Sequence, residues 1–363
     1  MLVLPALLPV RDIILGSKMG AFDANMPGQR APRVHSPSEL AAALAPGEWL
    51  KNFIPFEEDG SQRSWLMPYL FAHGAKPGRK VTIIAAIHGD ELNGVRMLHE
   101  LANLLQGTEI NGSLCLVPVA NLMGYANHSR YLPDRRDLNR MFPGLKDGSE
   151  GARLAHFLWT NFVAQADYIV DVHSGSYNRW NFPHLRGNMK DETMREWARN
   201  LEGQVVLTSS GVAGSLRKEA GKVGKPVFLI EAGETGRFEK DILRRGLRLL
   251  LQILVSLESI DRGVLAEVSA RFDTEIGVPD HPTGYYRKAV WQRATHAGLF
   301  MPQVAPGERV AVGQPLGFIT DLFGERRAEI LSEQTGFILG MHLHPQVVPG
   351  RALFHIAYDF KEL

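Results

Sequence analysis

The segment that most constrains the fold is an apolar run that ends in a histidine and a glutamate. Residues 81–87 are mostly β-branched or small and apolar, are of strand length, and are followed at once by His88 and Glu91. From Val95 to Leu105, apolar residues then recur at helical spacing. The pattern predicts a strand that turns directly into an amphipathic helix. In open α/β sheets, functional groups lie beyond the carboxyl ends of parallel strands, so this corner is a candidate site.

Two further apolar runs end in the same kind of residue. Residues 168–172 are followed by His173, and residues 227–230 by Glu231. If the three strands are parallel neighbours, their ends converge at one edge of the sheet. Imidazole and carboxylate donors suit Zn²⁺, which in catalytic sites takes three protein ligands and keeps one position open. We therefore predict that His88, Glu91 and His173 hold zinc, while Glu231 serves as the general base for an attacking water and then protonates the leaving amine.

Four short motifs occur in a fixed order along the chain: His88-Gly-Asp-Glu91, residues 137–144 (Asp-Leu-Asn-Arg-Met-Phe-Pro-Gly), residues 171–175 (Asp-Val-His-Ser-Gly) and Glu231-Ala-Gly233. In this combination the sequence resembles the succinylglutamate desuccinylase/aspartoacylase family, a branch of the zinc carboxypeptidase superfamily. The resemblance is strong over residues 80–235. It implies an α/β fold with a zinc-carboxypeptidase-like mixed sheet flanked by helices, one Zn²⁺ per subunit, and hydrolysis of an N-acyl amino acid.

The long polar stretch of residues 121–142 carries several basic residues. The resemblance implies that Asn139 and Arg140 bind the carboxylate of the amino acid, a group that a guanidinium pairs with two parallel hydrogen bonds. It also implies an upstream arginine that stabilises the oxyanion. Arg130 is the better match, but its spacing to Asn139 is longer than in aspartoacylases, so Arg135 and Arg136 remain alternatives.

The chain of 363 residues is longer than one hydrophobic core usually serves, which predicts two domains. Residues 1–45 are predicted to form an N-terminal arm with a short helix from Ser36. Residues 46–260 are predicted to form the catalytic domain. In residues 261–363, Gly and Pro recur between short apolar runs, which is typical of a small all-β accessory domain. This part resembles a lipoyl-type barrel-sandwich hybrid without a lysine at the hairpin tip, so it is expected to pack beside the site or to build an oligomer contact.

Other segments give weaker predictions. Residues 114–119 are predicted to form a strand that ends at Pro118 or lies near a sheet edge. Asp171 lies two residues before His173, where it either orients that histidine or makes a structural contact. His342 and His344 alternate on a predicted strand, but without a nearby carboxylate they are not expected to bind metal. Residues 174–190 are predicted to form a long loop whose side chains could line the acyl pocket: Tyr177, Arg179, His184 and Arg186.

Composition excludes several classes of protein. A chain with a formal net charge of only +1 does not offer the strongly basic surface that binding to phosphate groups needs. Nucleic acid is therefore not an expected partner. The apolar start of the chain is too short and too rich in proline to span a bilayer, which indicates no membrane association. The single cysteine, Cys115, cannot form an internal disulfide and is expected to be buried. We expect a cytoplasmic enzyme that is either a monomer or a homo-oligomer.

The sequence therefore predicts a zinc-dependent amidohydrolase that acts on a carbon–nitrogen bond other than a peptide bond, with a small N-acyl amino acid as substrate. One alternative is a metallocarboxypeptidase that acts on short peptides, because that superfamily shares the same ligand set. A second is a metal-containing binding protein without catalytic activity. Structural zinc sites are usually closed by four ligands and rich in cysteine, whereas three ligands and a spare carboxylate leave an open position.

Overall fold

The structure is a computed structural model. It describes Pro37, Glu39 and residues 44–58, 64–271 and 281–363. The predicted N-terminal arm and its short helix from Ser36 fall almost wholly outside these residues. No helix among the described residues is both long and apolar enough to cross a membrane.

Strands and helices alternate through the first two thirds of the described chain. The strands are β1 (Trp49–Glu58), β2 (Ser64–His73), β3 (Lys76–Ala85), β4 (Asn111–Val117), β5 (Tyr168–Gly175), β6 (Arg179–Gly187), β7 (Val206–Thr208) and β8 (Val227–Glu234). The helices are α1 (Asn93–Leu105), α2 (Leu122–Ala126), α3 (Glu150–Leu158), which continues as a π-helical turn (Trp159–Val163), α4 (Glu192–Arg199), α5 (Leu216–Lys222) and α6 (Lys240–Ser256). A single 3₁₀ turn (Leu138–Arg140) precedes α3.

The C-terminal part is mostly β structure. Helix α7 (Arg262–Arg271) comes first, within a segment for which the sequence predicted only strands. The strands that follow are β9 (Gly284–Arg293), β10 (Gly298–Pro302), β11 (Arg309–Val310), β12 (Pro315–Thr320), β13 (Arg326–Leu331), β14 (Gly336–His342), β15 (Gln346–Val347) and β16 (Ala352–Glu362). Strands β13, β12, β10 and β15 form a separate four-stranded sheet.

The remaining strands form one twelve-stranded sheet in the order β1-β2-β4-β3-β5-β8-β6-β7-β9-β16-β14-β11. Strands β3, β5 and β8 are parallel neighbours, which is the arrangement on which the predicted convergence of their ends depends. Strand β4 ends at Val117, as Pro118 predicted, but it lies between β2 and β3 and is not near an edge. The mixed α/β fold with a C-terminal β region is therefore confirmed.

Helices cover both faces of the central strands. Neighbouring residues of β3 face opposite sides, so Ile83 packs with α1, α4 and α6 while Ile84 packs with α3 and α5. Both side chains are fully buried, which is why this strand is an almost continuous apolar run. Cys115 is buried in the second of these cores, as expected, and burial raises the pKa of its thiol.

The main difference from the sequence prediction is strand β6. Residues 174–190 were predicted to form a loop, and this is wrong, because residues 179–187 pair with three strands. One edge of β6 pairs with β8, and the other is shared by β14 at its start and β7 at its end. The other strands are paired in the order β7-β9-β16-β14, so β6, which pairs with both β7 and β14, closes a ring of strands. The ring surrounds a small apolar core that includes Leu207, Phe337 and Leu339.

Candidate active site

The turn between β3 and α1 brings His88 and Glu91 to the edge of the sheet. The turn is tight, because a Cβ atom on Gly89 would lie only 2.1 Å from the carbonyl carbon of Gly124. On the adjacent strand β5, His173 lies at the same edge, and it is paired in register with Glu231 of β8. The three strand ends converge as the sequence predicted.

His88, Glu91 and His173 form one buried cluster. Glu91 Oε1 lies 2.8 Å from His88 Nδ1, and Glu91 Oε2 lies 2.8 Å from His173 Nδ1. The two Nδ1 atoms are 3.1 Å apart. One ligand atom from each residue lies within 4.8 Å of the others, so the cluster could hold a metal ion. It is the only such cluster in the described chain, and His342 and His344 belong to none.

The outer nitrogen of each histidine faces a carboxylate. His88 Nε2 is 3.1 Å from Asp137 Oδ1, and His173 Nε2 is 2.9 Å from Asp171 Oδ2. A carboxylate beside Nε2 favours the tautomer in which Nε2 carries the proton, and in that tautomer the lone pair of Nδ1 is available to a metal ion at the centre. Sequence reasoning left the role of Asp171 open and did not assign one to Asp137, although that residue begins one of the four motifs.

The cluster favours positive charge at its centre. Burial alone would lower the pKa of His88 and of His173 and raise the pKa of Glu91. The interactions of both histidines with Glu91, and with Asp137 or Asp171, outweigh burial, so the pKa of each histidine lies above its usual value. The pKa of Glu91 lies well below its usual value for the same reason. Protons or a metal ion satisfy such a site.

Arg130 is the arginine of the 121–142 stretch that reaches the cluster. Its Nη1 donates to Glu91 Oε1 at 3.1 Å and to Ser176 Oγ at 3.0 Å, and its Nη2 donates to Asp137 Oδ2 at 3.0 Å. The two alternatives, Arg135 and Arg136, are exposed and do not line the cavity above the cluster. Among the three candidate arginines, the geometry therefore favours Arg130 for a role beside the cluster.

Asn139 and Arg140 lie on the same cavity wall. The 3₁₀ turn that carries them is capped by Asp137, whose Oδ1 accepts from the backbone nitrogen of Asn139 at 2.9 Å. Asn139 Oδ1 accepts from the backbone nitrogen of Leu216 at 2.9 Å, at the start of α5. Since that oxygen is engaged, Asn139 can offer a ligand its amide NH₂ group.

Glu231 lines the cavity from the third strand end. Its Oε2 accepts a hydrogen bond from Asn181 Nδ2 at 2.8 Å, and its Oε1 lies 3.6 Å from Arg186 Nη1. Both partners belong to β6. Of the residues that were expected to line an acyl pocket, Tyr177, Arg179 and Arg186 do line the cavity, whereas His184 does not.

The cavity has a volume of about 830 Å³, and part of its wall comes from the C-terminal strands. Trp291 of β9 and His355 of β16 stack with their ring centroids 4.7 Å apart, and the Arg179 guanidinium lies 5.1 Å from the Trp291 ring. Burial, followed by the charges of Arg186 and Arg179, lowers the pKa of His355 to about 3, so this ring is neutral. No local sequence pattern indicated Asn181, Arg217, Trp291 or His355, which reach the cavity through distant strand and helix packing.

Comparisons with known proteins identify the family of the catalytic domain. Residues 77–257 match the succinylglutamate desuccinylase/aspartoacylase catalytic domain. The chain is 24% identical to an N-α-acetyl-L-2,4-diaminobutyric acid deacetylase of Halomonas elongata, over 92% of this chain and 98% of that protein.

Solved structures of similar fold include a succinylglutamate desuccinylase/aspartoacylase from Rhodobacter sphaeroides, with a TM-score of 0.69 and 22% identity, over 87% of this chain and 96% of that one. Another is the product-bound ectoine utilization protein EutE from Ruegeria pomeroyi, with a TM-score of 0.69 and 21% identity, over 87% of this chain and 98% of that one. At these identities the likeness concerns the fold. Together with the matching domain and the four motifs, it shows that the chain belongs to the succinylglutamate desuccinylase/aspartoacylase family.

Proposed function

We propose that this protein is a zinc-dependent amidohydrolase that releases the free amine from a small N-acyl amino acid. The observation that carries the proposal is the convergence of His88, Glu91 and His173 on one centre, with the carboxylate of Glu231 in the same cavity. The catalytic domain of the family and the deacetylase of Halomonas elongata support this class of reaction.

The residues of the cluster fit a zinc ion. His88 Nδ1 and His173 Nδ1 lie 3.1 Å apart, and each is 2.8 Å from a carboxylate oxygen of Glu91, an arrangement that a shared cation would stabilise. Two histidines and one glutamate are also a ligand set of catalytic zinc, which keeps a further position open. Held by His88, Glu91 and His173, one Zn²⁺ per subunit would polarise the acyl carbonyl and acidify a water molecule.

Glu231 is proposed as the general base. Its carboxylate takes a proton from the attacking water and delivers it to the amine nitrogen as the carbon–nitrogen bond breaks. Arg130 is proposed to stabilise the negative charge that develops on the carbonyl oxygen, because its guanidinium already lies against the cluster. Both assignments place a polar group where charge changes during the reaction.

Asn139 and Arg140 are proposed to bind the carboxylate of the amino acid. The amide NH₂ of Asn139 and the guanidinium of Arg140 are both donors, and both line the cavity. A charged fork and an amide suit a carboxylate that must be held in one orientation while its amide bond is cleaved.

The test is a comparison of substrates with the zinc-loaded protein. N-acetyl and N-succinyl amino acids should release amine with a kcat/KM at least about tenfold above that of dipeptides with the same C-terminal residue. A preference for the dipeptides would favour the carboxypeptidase alternative. Stoichiometric zinc without hydrolysis of any of these compounds would favour the binding protein.

A further inference from the structure

The carboxylate of Glu231 is held from one side by a residue that is not part of the family motifs. We propose that Asn181 is the positioning residue for Glu231, and that strand β14 of the C-terminal β region keeps Asn181 in place. The assignment rests on the proposed role of Glu231 as the base. It gives the C-terminal region a part in the chemistry beyond lining the cavity.

The contact between the two side chains is short and sheltered. Asn181 Nδ2 donates to Glu231 Oε2 at 2.8 Å, and Asn181 is 6% exposed. An amide NH₂ can only donate, and it does so at any pH, so it fixes the rotation of the carboxylate without competing for the proton that Glu231 must accept. The other oxygen, Oε1, lies farther from its nearest cation, at 3.6 Å from Arg186 Nη1.

A bulge in β6 allows two side chains of the same strand to reach one carboxylate. Asn181 pairs with Gly233 and His184 pairs with Glu231, so three steps along β6 match two steps along β8. An extra residue of this kind shifts the alternation of side chains by one position. As a result Asn181 and Arg186 approach Glu231 from the same side of the sheet, one on each side of its carboxylate.

Strand β14 confines the Asn181 amide. Asn181 lies opposite Gly340 of β14, and a Cβ atom on Gly340 would be 2.6 Å from Asn181 Oδ1 and 2.9 Å from the carbonyl oxygen of Trp180. No real side chain tolerates such contacts, so only glycine leaves the amide where it is. The orientation of the Asn181 amide therefore depends on the pairing of β6 with β14.

Arg186 is anchored separately from Asn181. Its Nε donates to His184 Nε2 at 3.1 Å, and His184 Nδ1 donates to the carbonyl oxygen of Phe182 at 2.7 Å. Burial, followed by the charge of Arg186, holds the pKa of His184 well below its usual value, so His184 remains a neutral acceptor. The Arg186 guanidinium thus depends on its own strand, whereas Asn181 depends on a strand from the C-terminal region.

The decisive variant is Asn181→Asp, which keeps the shape of the side chain but replaces the donor with a second carboxylate. With zinc-loaded protein and the best N-acyl amino acid, kcat should fall about 100-fold while KM stays within about twofold, because misplacing the base impairs the reaction but not substrate binding. The zinc content should be unchanged. The matched control is Asn188→Asp, just beyond β6 and away from the cavity, which should retain normal kcat and KM.

A second variant and a structural readout complete the test. Gly340→Ala should also lower kcat at constant KM, whereas Gly221→Ala, where a methyl group meets nothing within 4 Å, should not. In a crystal structure of Asn181→Asp, the Glu231 carboxylate should be turned away from residue 181. An unmoved carboxylate, a kcat within about threefold of normal, or a rise in KM at normal kcat would each overturn the inference. Absence of hydrolysis by the unaltered protein would instead contradict the proposed function, and the crystal structure would still decide the role of Asn181.

Discussion

Each histidine of the cluster with Glu91 has its two ring nitrogens in different surroundings. Nε2 lies beside a carboxylate oxygen of Asp137 or Asp171, and Nδ1 faces the shared centre. The carboxylates raise the affinity of His88 and His173 for any positive charge, whether a proton or a metal ion. Protons and metal therefore compete for the same lone pairs.

This competition predicts a pH dependence of metal binding. Without metal, the pKa values of His88 and His173 lie above their usual value, so both rings hold protons more firmly than ordinary histidines as the pH falls. Zinc affinity should consequently decrease from about pH 8 to about pH 6. Titration against a chromophoric chelator measures the affinity, and equal affinity at both pH values would contradict a site built on these two histidines.

Replacing the proposed base separates catalysis from metal binding. In Glu231→Gln the side chain keeps its size but cannot take a proton, so kcat should fall by about 100-fold to 10,000-fold. Zinc content, measured by elemental analysis, should not change, because Glu231 is not one of the three ligands. The control is Glu234→Gln, on the same strand but paired with Arg237 outside the cavity, which should keep near-normal kcat. A Glu231→Gln variant with normal kcat would show that another group takes the proton.

Three residues of the candidate site could be predicted from the sequence because each follows an apolar strand. His88, His173 and Glu231 all come directly after such a run, and the topology of parallel sheets then places them together. Asn181, Trp291 and His355 follow no comparable signal. They reach the cavity through pairing between strands that are distant in the chain, which a local pattern does not encode.

At the scale of secondary structure, the same contrast separates α1 from β6. Helix α1 buries one face with regular spacing, so its sequence alone predicts it. Strand β6 contains Pro183 and several polar residues, because part of it faces the cavity rather than an apolar core. Its strand conformation depends on hydrogen bonds to β8, β14 and β7. Local composition does not reveal these bonds, so it predicted a loop.

Helix α4 offers a test of local stability. Its N-cap is Asp191, whose side chain accepts from the backbone nitrogen of Met194 at 3.2 Å. Asp191→Ala removes this bond and should lower the free energy of unfolding by about 1 kcal/mol, as measured by urea denaturation. Lys190→Ala, at an exposed neighbouring position, should change it by less than about 0.5 kcal/mol. Equal stability of the two variants would show that the cap contributes nothing.

At the scale of the whole molecule, the C-terminal region presents unusually exposed apolar side chains. Leu322 and Phe323, at the tip between β12 and β13, are 89% and 92% exposed. Side chains that bury so little surface contribute almost nothing to the stability of a single chain. They would contribute only if a second subunit covered them.

This exposure predicts the effect of polar substitutions at the tip. The double variant Leu322→Ser, Phe323→Ser should leave the thermal midpoint within about 2 °C of normal if the protein is a monomer. Calorimetry measures the midpoint and light scattering the mass. A larger decrease, accompanied by a smaller mass, would show instead that the tip lies between subunits of a homo-oligomer.

The closed ring of β6, β7, β9, β16 and β14 limits how the chain could be shortened. A fragment that stops before Gly284 would lose every strand that covers the outer edge of β6 and β7. The bare edges would then offer unpaired backbone groups to other molecules, a common cause of aggregation. Any attempt to transplant the His88, Glu91 and His173 cluster into a minimal scaffold would therefore have to carry the last eighty residues with it.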